Sequence, residues 1–277
     1  VCRAEEVDGF RGDFTAAAGK DSRAAVVASD AQRPEGDDDI LYYMRASLRN
    51  SSANAWNLKY SFYKNHYREQ GQLDLSSVGF RAERTWERDR GSWQVKGSMD
   101  HYIREGNSYF QRVDLEPSFI KTNGRRWTRF SAEFEREEFM KSPERTGRRV
   151  GFIVSTPIPS AKIGRRIEAS AWWADERTNS ELYRHTEKGV SVSCRQPVFT
   201  LVDEFFIRAR YMQRDYDSLP GIESREDDRY EFLLTISREI ETDTDLAFEF
   251  MWWDNNSSED AEEYTRSLIT LKLTRYY

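Results

Sequence analysis

Large apolar side chains arrive one at a time in this chain. In "DDILYYMRASLRNSSANAWNLKYSF", residues 38 to 62, aromatic and aliphatic residues alternate with polar or charged ones. No helical stripe or heptad seam accounts for them. A period of two sends successive side chains to opposite faces of a strand. Over residues 38 to 50 one face carries Ile40, Tyr42, Met44, Ala46 and Leu48, and the other carries Leu41, Tyr43, Arg45, Ser47 and Arg49. Beyond the turn sequence RNSSAN, Trp56, Leu58, Tyr60 and Phe62 oppose Asn57, Lys59, Ser61 and Tyr63. The same alternation recurs at Trp93 to Met99, Phe205 to Tyr211, Tyr230 to Ile236 and Leu246 to Trp252.

Read this way, the chain divides into strands at 8–18, 39–50, 53–66, 73–87, 91–104, 108–121, 125–139, 146–157, 163–177, 185–196, 201–215, 226–239, 243–254 and 262–277. The 14 Tyr, 16 Phe and 8 Trp that carry much of the apolar volume favour β structure. Connections after even strands tend to be tight, as in DRG, TNG and TDT. Several after odd strands are longer and polar, as in KSPERTG, DSLPGIESRE and NNSSEDAEE. Short turns at one end and longer loops at the other are the habit of outer-membrane barrels whose two ends lie in the periplasm.

A soluble sandwich or carbohydrate-binding barrel also alternates, but its strands usually stop at 3–10 residues. Many strands here run longer, enough to cross a bilayer at a tilt near 45°. The polar face decides further. In "RRWTRFSAEFEREEF", residues 125 to 139, Phe130, Ala132 and Phe134 oppose Arg129, Ser131, Glu133, Glu135 and Glu137. Charges of both signs suit a wet lumen and are costly in a small dry core. The expected fold is therefore all-β, an antiparallel transmembrane β-barrel of about 14 strands, with a range of 12–16. Residues 1–38 form an arm, a first strand and a long loop, and residues 39–277 the remainder of one barrel. Closure is obligatory, because hydrocarbon leaves an edge strand unpaired.

Other features exclude rather than assign. No run approaches 18 apolar residues, so no membrane helix is expected. The opening VCRAEEVDGF lacks the apolar core of a signal peptide. Cys2 and Cys194 could pair in an oxidising compartment but make no disulfide framework. With 42 basic and 48 acidic residues intermixed, no nucleic-acid partner is expected.

The expected lumen wall comprises Arg45, Arg49, Lys59, Arg81, Glu83, Lys96, Arg129, Glu133, Glu135, Glu168, Arg208, Arg210, Glu231, Glu249 and Lys272. Such a mixed lining can choose solutes by charge. Aromatics near strand ends, Tyr102, Tyr109, Trp127, Phe139, Tyr211 and Tyr264, suit interfacial girdles. Of three Gly-Arg-Arg triplets, the one at 147–149 sets Arg148 or Arg149 where phosphorylated lipid headgroups could meet them. Asp37, Asp38, Asp39, Glu226, Asp227, Asp228, Glu259 and Asp260 lie in acidic loops without calcium-loop spacing. No nucleophile motif or paired metal-ligand spacing accompanies His66, His101 and His185. The chain is expected not to be an enzyme and to need no metal or cofactor. A rim-located hydrolase is the lower alternative.

The last strand, "YTRSLITLKLTRYY", places Ile269, Leu271, Leu273 and Tyr277 on one parity, and it resembles the C-terminal assembly signal of bacterial outer-membrane proteins. Residues 228 to 277 also carry an Asp-Arg-Tyr opening a strand, the pair Asn255 and Asn256 after an aromatic strand, and a Tyr-x-Arg at 264–266. In these features the segment is similar to the barrel domain of the surface lipoprotein assembly modifier family and related tetratricopeptide-linked barrels. The resemblance implies a fourteen-stranded barrel that moves or displays lipoproteins. The expected function is an outer-membrane conduit that passes solute or an exported polymer or protein through a charged, hydrated lumen. The alternative is a non-conducting barrel that anchors a cell-envelope complex. Expected partners are outer-membrane lipids and lipopolysaccharide, the barrel assembly machinery during insertion, and a periplasmic or envelope protein.

Overall fold

The computed structural model describes residues 9–22, 38–51, 56–89, 91–124, 126–160, 164–198, 202–217, 224–259 and 262–277. Cys2, Asp37, Arg125 and Asp260, and the arm and long loop expected within 1–8 and 23–37, lie outside them. Fourteen strands form one closed antiparallel barrel. They are β1 Gly9–Ser22, β2 Asp39–Ser51, β3 Asn57–Tyr67, β4 Leu75–Arg88, β5 Gly91–Arg104, β6 Asn107–Asn123 and β7 Arg126–Phe139, followed by β8 Gly147–Ile158, β9 Arg166–Thr178, β10 His185–Pro197, β11 Glu204–Tyr216, β12 Glu226–Glu241, β13 Thr244–Ser257 and β14 Tyr264–Tyr276. Each strand pairs with its sequence neighbours, and β1 pairs with β14 in a register from Asp13↔Tyr276 to Ser22↔Ser267. Gly12 and Tyr277 exchange backbone hydrogen bonds of 3.1 and 2.9 Å beyond that ladder. None of these fourteen strands keeps an open edge, which satisfies the backbone where water is absent.

Alternation decides which way each side chain turns. Large apolar residues such as Tyr60, Phe80, Met99, Leu115, Phe134, Phe152, Trp173, Val190, Tyr230, Phe248 and Leu271 are exposed, and they share one parity from strand to strand. The other parity turns inward. Tyr67 on β3 donates its hydroxyl to Asp21 on β1 at 3.0 Å, and Arg149 on β8 donates to Glu187 on β10 at 2.9 Å. Strands that are not adjacent can meet this way only across the interior. The buried apolar cluster is small, Leu41, Tyr67 and Leu268 with Tyr43, Leu73, Met251 and Trp253 around it. Most apolar area is thus spent on the outside, the reverse of a water-soluble protein and the arrangement a bilayer requires.

The connections divide the barrel into a loop end and a turn end. At the loop end, among the described residues, three short 3-10 turns, Gly71–Leu73, Pro143–Arg145 and Glu181–Tyr183, interrupt the links after β3, β7 and β9. The link after β5 breaks the trend. Only Glu105 and Gly106 separate Arg104 from Asn107, both with positive φ, 51° and 75°, as a type I′ hairpin needs. A bulge at Tyr102/Ile103 adjusts the pairing just below it.

Two sequence expectations are corrected here. Tyr102, Trp127, Phe139 and Tyr264 fall on the inward parity, so they do not belong to an outward girdle; Tyr211 does face outward. Tyr102 stacks on Phe110 at 4.1 Å between centroids, and Phe110 on Phe139 at 5.1 Å, forming an aromatic row within the lumen. Arg149 also turns inward, because Gly147, Arg149 and Gly151 share the parity opposite Glu137, Glu135 and Glu133. Its guanidinium is held among carboxylates and is not presented to lipid headgroups. Only Arg148 of the pair faces outward, in register with Arg136 and Arg177.

Candidate functional site: the lumen wall

Two regions of the inner wall differ in kind. Near the loop end, across β8 to β11, charges are buried and neutralised. Glu187 is 2 % exposed. Its Oε1 accepts from Arg149 Nη2 at 2.9 Å and from Trp172 Nε1 at 2.8 Å, while Oε2 accepts from Arg214 Nε at 2.9 Å. Arg210 lies over the Trp172 ring at 4.2 Å and reaches Glu231 at 3.7 Å. Arg149 also neighbours Glu133 at 3.6 Å and Glu176 at 3.9 Å. Glu187 thereby ties β8, β9, β10 and β11 together, and the flanking pairs extend the knot to Glu133 on β7 and Glu231 on β12, so that each buried charge has an opposite one within reach.

The knot depends on a missing side chain. Gly189 faces Trp172 directly across β9 and β10, and a Cβ at 189 would sit 2.2 Å from the indole and 2.5 Å from the Tyr211 carbonyl oxygen. The glycine gives the ring a place to lie flat against the sheet, and the ring covers the bare backbone in return. Gly189→Val is expected to expel the indole, remove one donor from Glu187 and cost about 1–3 kcal/mol, as overpacking does. A thermal melt followed by near-ultraviolet circular dichroism checks this, and an unchanged tryptophan signal would refute it.

Related pairs continue around the wall. Arg266 donates to both oxygens of Asp21, which is fully buried, with Nε to Oδ1 at 2.8 Å. Arg112 pairs with Glu137 and lies 3.7 Å from Glu135. Lys272 pairs with Glu249 at 2.6 Å, Lys96 with Glu116 at 3.6 Å, and Arg229 with Glu231 at 3.0 Å. Glu83 accepts from Gln94 at 2.7 Å.

The second region, on β1 to β4, is open. Arg45, Arg49 and Arg81 point inward yet are exposed, as is Arg11, and Lys59 among them is half-buried. None of the five enters an ion pair or side-chain hydrogen bond among the described residues. Arg208, on β11, is likewise inward and exposed. Arg129 lies over the Trp127 ring at 5.7 Å, and Glu168 faces Ser193 across the sheet. All fifteen residues expected at the wall sit on the inward parity. Asp21, Arg112, Trp172, Glu187, Arg214, Arg266 and Arg11 occupy the same face without having been singled out in the sequence. Alternation alone would have placed them; their partners would have needed the strand register.

The rim residues serve the loops. His66 bonds Asp74 at 2.7 Å, His101 contacts Ser108 and Gln111, and His185 contacts the Tyr183 carbonyl and packs on Tyr216. The three histidines lie on separate strands, β3, β5 and β10, each with its own partners. Asp39 accepts backbone N–H groups of Ile40, Glu69 and Gln70, and Asp227 pairs with Arg225 at 2.5 Å. Among the described residues no group of three or more His, Cys, Asp or Glu is arranged to hold a metal.

Solved structures match the chain along its length. OmpT, an outer membrane protein of Vibrio cholerae, superimposes with a TM-score of 0.54 at 9% identity over 97% of each chain. OccAB3 of Acinetobacter baumannii gives 0.53 at 8% identity, over 98% of this chain and 100% of that one. An anion-selective porin from Comamonas acidovorans gives 0.50 at 6% identity, over 97% and 99%. No family model matches the chain, and no curated protein matches it in sequence. The fold is that of a bacterial outer-membrane β-barrel. The finer resemblance to the surface lipoprotein assembly modifier family finds no support among these matches.

Proposed function

We propose that the protein is an outer-membrane conduit that passes solute through a charged, hydrated lumen. One observation carries the reading: Arg11, Arg45, Arg49, Arg81 and Arg208 point inward and are nevertheless exposed. Guanidinium groups without a carboxylate partner need water, so the interior beside them is wet. Fourteen strands enclose a width between that of side-chain-filled eight-stranded barrels and that of water-filled porins. The Comamonas acidovorans neighbour, an anion-selective porin, is consistent with this reading. The test is reconstitution of the purified protein in planar lipid bilayers. Stepwise ion conductance is expected, and a protein that inserts without conducting would overturn the conduit.

A second reading, the non-conducting barrel that anchors an envelope complex, draws on the Glu187 knot, which fills part of the interior near the loop end. It gains if conductance is absent and a stoichiometric partner copurifies. For lipid contact we propose Arg148, with Arg136 and Arg177 beside it in register, as the residue that meets phosphorylated headgroups. Ile269, Leu271, Leu273 and Tyr277 keep their proposed part in recognition by the assembly machinery.

A further inference from the structure

We infer that the open wall of β1 to β4 is an anion path, on which small solutes bearing a carboxylate or phosphate are bound weakly and passed along. The inference rests on the conduit reading and adds the class of solute. Register supplies its first support. Arg11 lies directly opposite Arg49, Arg49 opposite Lys59, and Lys59 opposite Arg81. Four cations therefore stand side by side across four strands, with Cβ atoms about 4.5–5.5 Å apart, where like charges destabilise a sheet. Arg45 joins them two pleat repeats further toward the loop end, four residues from Arg49 on β2.

The wall elsewhere shows what a structural cation looks like here. Arg149, Arg214, Arg266, Lys96 and Lys272 all sit within 4 Å of a carboxylate. The acids nearest the row are committed to neutral neighbours: Asp13 accepts from the Ser47 hydroxyl at 2.7 and 2.6 Å, and Glu83 from Gln94. Asp100, opposite Gly79, stands beyond the end of the row. A chain with a formal charge of −6 has acids to spare, yet none among the described residues stands in ion-pair contact with these five. Such a row costs stability unless something negative visits it.

Geometry turns the row into a route. Arg11 is the third residue of β1, at the turn end, whereas Arg81 lies at the middle of β4. Rows of opposite residues run obliquely to the axis of a tilted barrel, so the four side chains rise from the turn end toward mid-lumen. A low-dielectric wall with one sign of charge concentrates counter-ions at its surface. Closely spaced sites of similar strength let an anion step from one to the next without being trapped.

The experiment is the reversal potential of the reconstituted protein across a potassium chloride gradient near 0.1 M, where the screening length is about 10 Å. Chloride preference is expected in the wild type. It is expected to vanish or reverse in the variant combining Arg11→Gln, Arg49→Gln, Lys59→Gln and Arg81→Gln, and to persist in Lys188→Gln, whose side chain faces outward beside Asp215. Chloride current is expected to fall when succinate or inorganic phosphate is added, and the stronger competitor identifies the favoured group. The single variant Lys59→Gln separates this role from a structural one: its thermal stability should equal or exceed that of the wild type. Conductance without chloride preference, preference that survives the fourfold variant, failure of both competitors, or a destabilised Lys59→Gln protein would each overturn the anion path alone. Absence of any conductance would remove the conduit reading first.

Discussion

Glu187→Gln is expected to lower stability by about 3–5 kcal/mol, the range for breaking a buried ion pair by removing one partner. Glutamine keeps the volume and one acceptor oxygen, so the loss isolates charge. Arg149 and Arg214, with side chains 15 % and 29 % exposed, would face each other with Glu133 and Glu176 at longer range from Arg149 and with Asp227 opposite Arg214 already bound to Arg225. Urea titration of the barrel in detergent or vesicles measures the effect. Replacing all three partners together, Glu187→Met with Arg149→Met and Arg214→Leu, is expected to recover most of the loss, because an apolar set of similar volume needs no neutralisation. If Glu187→Gln unfolds at the wild-type urea concentration, the knot is screened by water and does not brace the loop end.

The second large effect concerns the outer surface. Leu271, in the middle of β14, is 54 % exposed on the face shared with Ile269 and Leu273. Leu271→Arg should destabilise the barrel in lipid vesicles by about 2–4 kcal/mol if that face meets the middle of the bilayer. One residue along, Lys272→Arg keeps a cation on the inner wall beside Glu249 and should change stability by about 0.5 kcal/mol or less. Both follow from folding titrations monitored by tryptophan fluorescence. Equal stability of Leu271→Arg and the wild type would contradict the assignment of this parity to lipid.

Much of this architecture is legible in the sequence because a strand with lipid on one side and water on the other must alternate. Tyr42, Met44 and Leu48 against Arg45 and Arg49 declare the face, the period and the strand at once. The tight link at Glu105–Gly106 falls between the strands expected at 91–104 and 108–121, although its sequence lacks the usual Asn-Gly signal. Arg149 shows a different difficulty. Strict alternation from Val150 and Phe152 assigns it to the interior, whereas the Gly-Arg-Arg triplet at a strand end suggests a headgroup contact for either arginine. Pairing across the lumen was out of reach for a physical reason. Which residue of β8 stands beside which residue of β10 depends on the accumulated stagger of the strands, and alternation is blind to shifts of two. The Glu187 knot and the row from Arg11 to Arg81 both rest on that stagger.

The pairing of β1 with β14 joins residues separated by most of the chain, as Ser22 and Ser267 illustrate. Thermodynamically the distance matters little, because the entropy of closing a loop grows only with the logarithm of its length. Kinetically it matters a great deal, because contacts so remote in sequence form late. Until they do, the half-built sheet exposes two rows of unanswered amides and carbonyls together with its entire greasy flank, and any passing strand can add to either margin. The seam is thus the last safeguard to form, and each margin stays open to other strands for as long as β1 and β14 remain apart.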